Sequence, residues 1–181
     1  MATILIILAC ILFIVALVLL WRSIVLSPAC AYLGLLALNF ATSKEGYPVL
    51  PINSTILFAW LYITIVVMVA TVMQATPLRH TNKGVGYMLM GAIAGMAVGL
   101  LGFTFASSLS LVYGTMIVAT AAGCFFGYLL YTNTPDGRPI ASVPGHLLKY
   151  FLAKAFPIAI TVMQIGVVAV LTLAIYQPVH P

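Results

Sequence analysis

Residues 84–135 read GVGYMLMGAIAGMAVGLLGFTFASSLSLVYGTMIVATAAGCFFGYLLYTNTP, with no charged residue among them. One helix crossing a bilayer takes about 20 predominantly apolar residues. The run therefore has room for two crossings, with Ala106, Ser107 and Ser108 as the turn between them. Hydrocarbon offers no water to an unpaired N–H or C=O, so a spanning backbone closes its hydrogen bonds as a helix or as a closed barrel. Barrel strands show segments of about ten residues that alternate polar and apolar. An unbroken apolar run of this length selects a helical hairpin.

The same punctuation extends to both sides. Arg22 closes the first uncharged run, Lys44 and Glu45 the second, and Arg79, His80 and Lys83 the third. Asp136 and Arg138 end the 84–135 run, and the chain is again uncharged from Ala155 to Val179. The expected spans are Thr3–Trp21, Ile24–Thr42, Thr55–Thr76, Val85–Phe105, Leu109–Tyr131 and Pro157–Tyr176. The second is the weakest, with Pro28 near its start and Asn39 near its end, so five spans are the alternative. Composition agrees. Charged residues make up 5% of the chain and hydrophobic ones 64%, against about 25% and 45–50% in soluble domains. The expectation is an all-α, polytopic transmembrane bundle forming one membrane domain over residues 1–181.

Orientation follows from the cations. With six spans, Arg22, Arg79, Lys83, Arg138, Lys149 and Lys154 share one side and Lys44 stands alone on the other. Cytoplasmic loops carry the Lys/Arg excess, which places both termini on the non-cytoplasmic side of a cell inner or plasma membrane. Trp21, Tyr131 and Tyr150 then mark cytoplasmic ends, and Tyr47 and Tyr176 outer ends. The first segment is expected to stay in the protein, because its cation comes after the apolar run, whereas a cleaved signal places it before. The net charge of +5 is explained by these loops and anionic lipid, so no nucleic-acid partner is expected.

Between residues 146 and 154, Leu147, Leu148, Phe151 and Leu152 recur at helical spacing, with His146, Lys149 and Lys154 largely on the other face. Read as an amphipathic element, this is a short basic interfacial helix before the last span, docking anionic lipid or a cytoplasmic partner. Read as the first turns of a long last helix, its lysines snorkel to the interface. Pro144-Gly145 breaks the chain before it, and Pro157 starts or kinks the last span.

Small residues mark the fourth and fifth spans. Gly91, Gly95 and Gly99 recur every fourth position, and Gly123 and Gly127 repeat the spacing. One glycine face on each helix lets two backbones approach closely, so a tight antiparallel hairpin is expected.

Reactive chemistry is scarce. Asp136 and Glu45 are the two carboxylates and lie on opposite sides, which excludes a paired acid–base site. No Asp, Glu, His or Lys falls inside a proposed span, where proton-coupled carriers usually keep one. His80 and His146 near one interface are expected to face water or headgroups rather than haem or metal, and Ser142 before His146 lacks an orienting acid. Cys10, Cys30 and Cys124 show no CxxC spacing and read as packing residues. Asn53-Ser54-Thr55 matches a glycosylation acceptor but sits where a helix cap belongs. The tetrapeptide Thr-Val-Met-Gln, at residues 71–74 and 161–164, lacks aligned flanks and reads as coincidence.

Among the uncharged polar groups within spans, Gln164, Thr161 and Asn39 stand out, with Thr64 and Thr71. A buried amide in lipid seeks a partner, which makes Gln164 a bridge between helices before it is a ligand contact. The expected role is a non-catalytic integral membrane subunit, not an enzyme. It would carry no cofactor or metal and would pack against lipid and against other subunits or further copies of itself. The alternative is a small transport component, or a self-assembled channel, for a neutral or apolar solute.

Overall fold

The computed structural model describes residues 2–42, 49–50, 52–74, 83–102, 108–141 and 145–176. Among these the chain is all-helical. α1 (Ala2–Arg22), α2 (Ser27–Phe40), α3 (Ser54–Val72), α4 (Val85–Leu101) and α5 (Leu109–Thr132) are followed by the single turn α6 (Arg138–Ala141). α7 (His146–Tyr150) then runs without a break through a π-helical stretch, Phe151–Ala155, into α8 (Phe156–Tyr176).

Four of these helices are long and apolar enough to cross a membrane: α1, α3, α5 and the continuous helix over Leu147–Ile175. α2 and α4 are shorter. With 14 and 17 residues, they rise about 21 and 25 Å at 1.5 Å per residue. The second span was expected over Ile24–Thr42. α2 instead starts at Ser27, with Pro28 in its first turn, where a missing N–H leaves no helical hydrogen bond unmade. α4 was expected to reach Phe105, but residues 103–107, including Ala106 and Ser107 of the expected turn, lie outside the described residues. Asn53 does cap α3, accepting a hydrogen bond from Thr55 N at 3.0 Å.

The helices alternate in direction. Gly34 of α2 meets the Phe13 ring of α1, while Ser27 lies beside Ala16, so the two run antiparallel. Tyr32 donates to Leu57 O and Asn39 accepts from Ile52 N, which turns α3 against α2. Gly91 faces Gly123 and Gly95 faces Ala119 across α4 and α5. Thr71 reaches Leu152 O and Gln164 reaches Thr64, setting the last helix against α3. Arg22, Lys83, Arg138, Lys149 and Lys154 consequently all lie at one end of the bundle. Lys44, Glu45, Tyr47, Arg79, His80, Ser142 and His180 lie outside the described residues.

α8 is the hub. Of the most apolar window of the last helix 61% is buried, against 17% for α1. α2, α3, α4 and α5 all pack on it, and α1 packs chiefly on α2. The core contains Leu20, Leu35, Val67, Met88, Met116, Ile158 and Val167. The outside is apolar too: Ile4, Ile14, Phe58, Tyr62, Met90, Val118 and Phe126 are all more than half exposed. A surface of that kind suits hydrocarbon and not water.

The separate interfacial helix expected before the last span is corrected to a continuous one. Proline has no N–H to return to the carbonyl four residues back, so Pro157 removes the donor for Ala153. The helix passes this point with the wider π spacing, of a kind that marks local insertions in α-helices. The expected faces change with it. Leu147 and Leu148 are exposed, while Lys154 is 1% exposed and sits among buried Ala153 and Ala155. A wheel drawn at 3.6 residues per turn cannot place residues inside a π stretch.

Candidate functional site

Seven polar side chains are buried among the described residues: Ser27, Thr64, Thr71, Thr120, Lys154, Thr161 and Gln164. Thr120 and Lys154 apart, they lie where α2 and α3 meet the last helix. Thr120 returns its hydroxyl to Met116 O within its own helix, at 2.7 Å.

Ser27, Thr64, Thr71, Thr161 and Gln164 form a seam that starts at the cationic end. Thr71 donates to Val67 O at 2.7 Å and lies 3.4 Å from Leu152 O, alongside the π stretch that carries Lys154. One step inward, Ser27 Oγ stands 2.8 Å from Ala16 O and 3.0 Å from Thr161 Oγ1, whose own hydroxyl lies 2.8 Å from Pro157 O. Three helices are tied by two hydroxyls. Deeper still, Gln164 Nε2 donates to Thr64 Oγ1 at 2.8 Å, and Thr64 passes its proton to Trp60 O at 2.7 Å. From Leu152, beside Thr71, to Gln164 the seam rises about 18 Å along the last helix, more than half the thickness of a bilayer core.

Gln164 is fully buried, yet its Oε1 has no hydrogen-bond partner. Leaving a buried acceptor unpaired costs about 1–3 kcal/mol. Thr64 satisfies one end of the amide only. Asn39 takes no part: it is half-buried near the other end of α2, where its side chain holds Ile52 N at 3.4 Å.

The glycines lie on the opposite flank of the hub. A methyl group on Gly91 or Gly123 would overlap the other's carbonyl oxygen, one on Gly95 would overlap Ala119 O, and one on Gly127 would overlap Tyr87 O. Gly99 has Met116 Cα 2.5 Å from the position a Cβ would take. Only hydrogen fits at these crossings. The outer face of the same pair carries a shallow apolar groove of about 790 Å³ between Tyr87, Met90, Phe126 and Leu130.

At the cationic end a tyrosine cluster joins three helices. The Tyr150 ring lies 5.6 Å from Tyr128 and 6.2 Å from Tyr131, and Tyr131 lies 5.9 Å from Tyr87. The Tyr150 hydroxyl donates to Lys83 O, beside Gly84, whose φ of +79° suits glycine. Of the expected docking residues, His146 opens α7, Lys149 is exposed and Lys154 is buried. The two lysines do not share one outward face. Cys124 is buried against Ala155 O at 3.4 Å, Cys30 is half-buried and Cys10 is exposed. Among the described residues no three His, Cys, Asp or Glu side chains are grouped to hold a metal.

The sequence alone picks out Gln164, Thr161, Thr64 and Thr71 but not Ser27, which sits beside Pro28 and reads as a turn residue. It also passes over Tyr113, whose hydroxyl oxygen is buried without a hydrogen-bond partner. Fold and site together define a bundle of apolar helices around an internal polar seam. No family model, curated protein or solved structure matches this chain.

Proposed function

We propose that this chain is an integral membrane protein of six crossings, with both termini on the non-cytoplasmic side, and that it serves as a non-catalytic subunit of a larger membrane assembly. The observation that carries the reading is the distribution of polarity. Described cations gather at one end, buried hydroxyls and the Gln164 amide are directed to one another, and large apolar side chains cover the exterior. The short α2 and α4 are accommodated by local thinning of the bilayer, at fractions of a kcal/mol per Å of mismatch. α1, the least buried of the four long helices, offers Ile4, Ile7, Ile11, Ile14 and Val18 outward as surface for lipid or a partner helix.

Purification in mild detergent tests the role. A stoichiometric co-purifying membrane protein is the expected result. A homogeneous assembly of this chain alone, stabilised thermally by a neutral solute, would refute the subunit reading in favour of a transport component. The unpartnered Gln164 Oε1 is the observation favouring that second reading. Gln164 is fully buried and bonded within the chain, so Gln164→Leu tests the second reading alone: loss of solute binding by an intact bundle supports transport, and unchanged solute binding counts against it.

A further inference from the structure

The connection from α5 to the last helix carries charge and hydrocarbon together on its outside. α6 and α7 pack against each other. Arg138 on α6 and Lys149 on α7 are exposed, and Leu147 and Leu148, beside Lys149, are 45% and 63% exposed. Tyr150, the next residue, is fully buried. Its ring packs on Tyr128 and Tyr131, and its hydroxyl donates to Lys83 O. That anchor holds α7 with three consecutive side chains facing away from the bundle. Arg22 and Lys83 are exposed at the same end, where Asp136 is the only carboxylate among the described residues.

We infer that α6 and α7 form a docking surface for an anionic phospholipid, Arg138 and Lys149 supplying the charge for its headgroup and Leu147 and Leu148 an apolar contact beside it. Depth supports this occupant. The continuous helix Leu147–Ile175 has 29 residues, about 43 Å at 1.5 Å per residue. A bilayer with its headgroup regions is about 40–45 Å thick, so Leu147–Lys149 lie at headgroup level. Lys154, about 7 Å further in, lies at the level of hydrocarbon, where the bundle covers it. An acidic protein would match the cations but set both leucines against a polar surface. The bilayer interface offers phosphate and acyl chain side by side. Anionic lipid also gathers in the cytoplasmic leaflet, the side proposed for the cationic end. The inference rests on the membrane reading above and exchanges Lys154, expected to dock, for Arg138.

The purified full chain in a charge-neutral detergent is titrated with phosphatidylglycerol and phosphatidylcholine, and native mass spectrometry measures the affinity for each. Phosphatidylglycerol is expected to bind more tightly, each cation contributing about fivefold, the ratio for one Lys or Arg near an anionic surface. Arg138→Gln and Lys149→Gln should each lower the preference by about that factor, and the double variant should remove most of it. Both side chains are exposed, so the helices should keep their circular dichroism. Arg22→Gln, on α1, should leave the preference in place. Equal binding of the two lipids overturns the site, as does a preference that survives the double variant. An equal loss in Arg22→Gln also overturns it, because the attraction is then diffuse. An acidic protein that co-purifies and is released by the double variant, without any lipid preference, assigns the surface to that protein instead. A chain that is monodisperse without detergent refutes the membrane reading itself, which distinguishes the two failures.

Discussion

Substituting Gly123 by alanine tests the α4–α5 contact most directly. Carbon contacts in proteins settle at about 3.5–4.0 Å, and the new methyl would lie far inside that range of Gly91 O. The obstructing atom belongs to a helix backbone, so no rotamer change relieves the overlap. The two helices must part by roughly 1 Å, a gap that forfeits a quarter to a half of each dispersion contact along the seam. Overpacking costs about 1–3 kcal/mol, and a rigid backbone on both sides places Gly123→Ala near 3 kcal/mol. Gly166→Ala is the control. Its methyl would meet Met116 Sδ and Met96 Sδ at 2.8 and 3.1 Å, and thioether chains move aside for less than about 1 kcal/mol. Gly114→Ala, with nothing within 4 Å, should be neutral or slightly stabilising. Equilibrium unfolding in mixed micelles, monitored by circular dichroism, measures all three. Because Gly91 and Gly123 obstruct each other reciprocally, the separation forced by one alanine makes room for the second. The double mutant should therefore be less destabilised than the sum of the singles, by about 1–2 kcal/mol. A Gly123→Ala protein as stable as Gly166→Ala, or strict additivity, would refute the reasoning.

The same geometry fixes three further outcomes. Gly84→Ala combines a positive φ with a methyl placed 2.6 Å from the Tyr131 ring and 2.7 Å from the Tyr150 hydroxyl; a loss of about 2 kcal/mol is expected, with a changed tyrosine near-ultraviolet dichroism. Ser27→Ala removes the hydroxyl shared by α1, α2 and α8 but leaves Thr161 donating to Pro157 O, so thermal unfolding should report about 1 kcal/mol. Gln164→Leu deletes one hydrogen bond and one unpaired acceptor together, and the isolated chain should change by less than about 1 kcal/mol in the same assay.

Much of the fold is legible in the primary structure because charge and caps punctuate it. The expected spans at Thr3–Trp21, Leu109–Tyr131 and Pro157–Tyr176 lie within a residue or two of α1, α5 and α8; Arg22 and Asp136 close the first two uncharged runs, and Tyr176 marks the end of the third helix. Glycine spacing likewise announced the α4–α5 seam, since both faces of the contact carry it. Lys154 was not legible: its direction depends on the π stretch that precedes Pro157, and periodicity arguments assume an unbroken α-helix. The partner of Gln164 and the Ser27–Thr161 contact join residues 100 and 134 positions apart. Nothing local encodes such pairs. Tyr113 reads as one tyrosine among nine, and only the packing of three helices singles out its hydroxyl.

The arrangement around α8 links these features to one cause. α1, α2 and α3 pack in sequence, α4 and α5 pack as a hairpin, and the two groups meet chiefly through α8. That helix must therefore offer a different surface to each. Toward α2 and α3 it presents Thr161 and Gln164, which hydrogen-bond across. Toward α4 and α5 it presents Gly166, against which Met96 and Met116 close. Polar pairs fix a register that apolar side chains in lipid leave free, because hydrocarbon solvates leucine as well as a neighbouring helix does. The glycine seam fixes the other group by shape. Two separately specified units joined through one helix need not meet elsewhere, and an apolar groove of about 570 Å³, lined by Trp60 of α3, Tyr113 of α5 and Ile160 of α8, is the gap that remains between them. On this account, widening the gap should leave both units folded: in a Trp21→Phe protein, a large side chain at Ile160 should shift the fluorescence of Trp60, which lines the same groove, while the Gly91–Gly123 contact, read by cysteine cross-linking between α4 and α5, stays in place. Loss of both together would show that the two units are not independent.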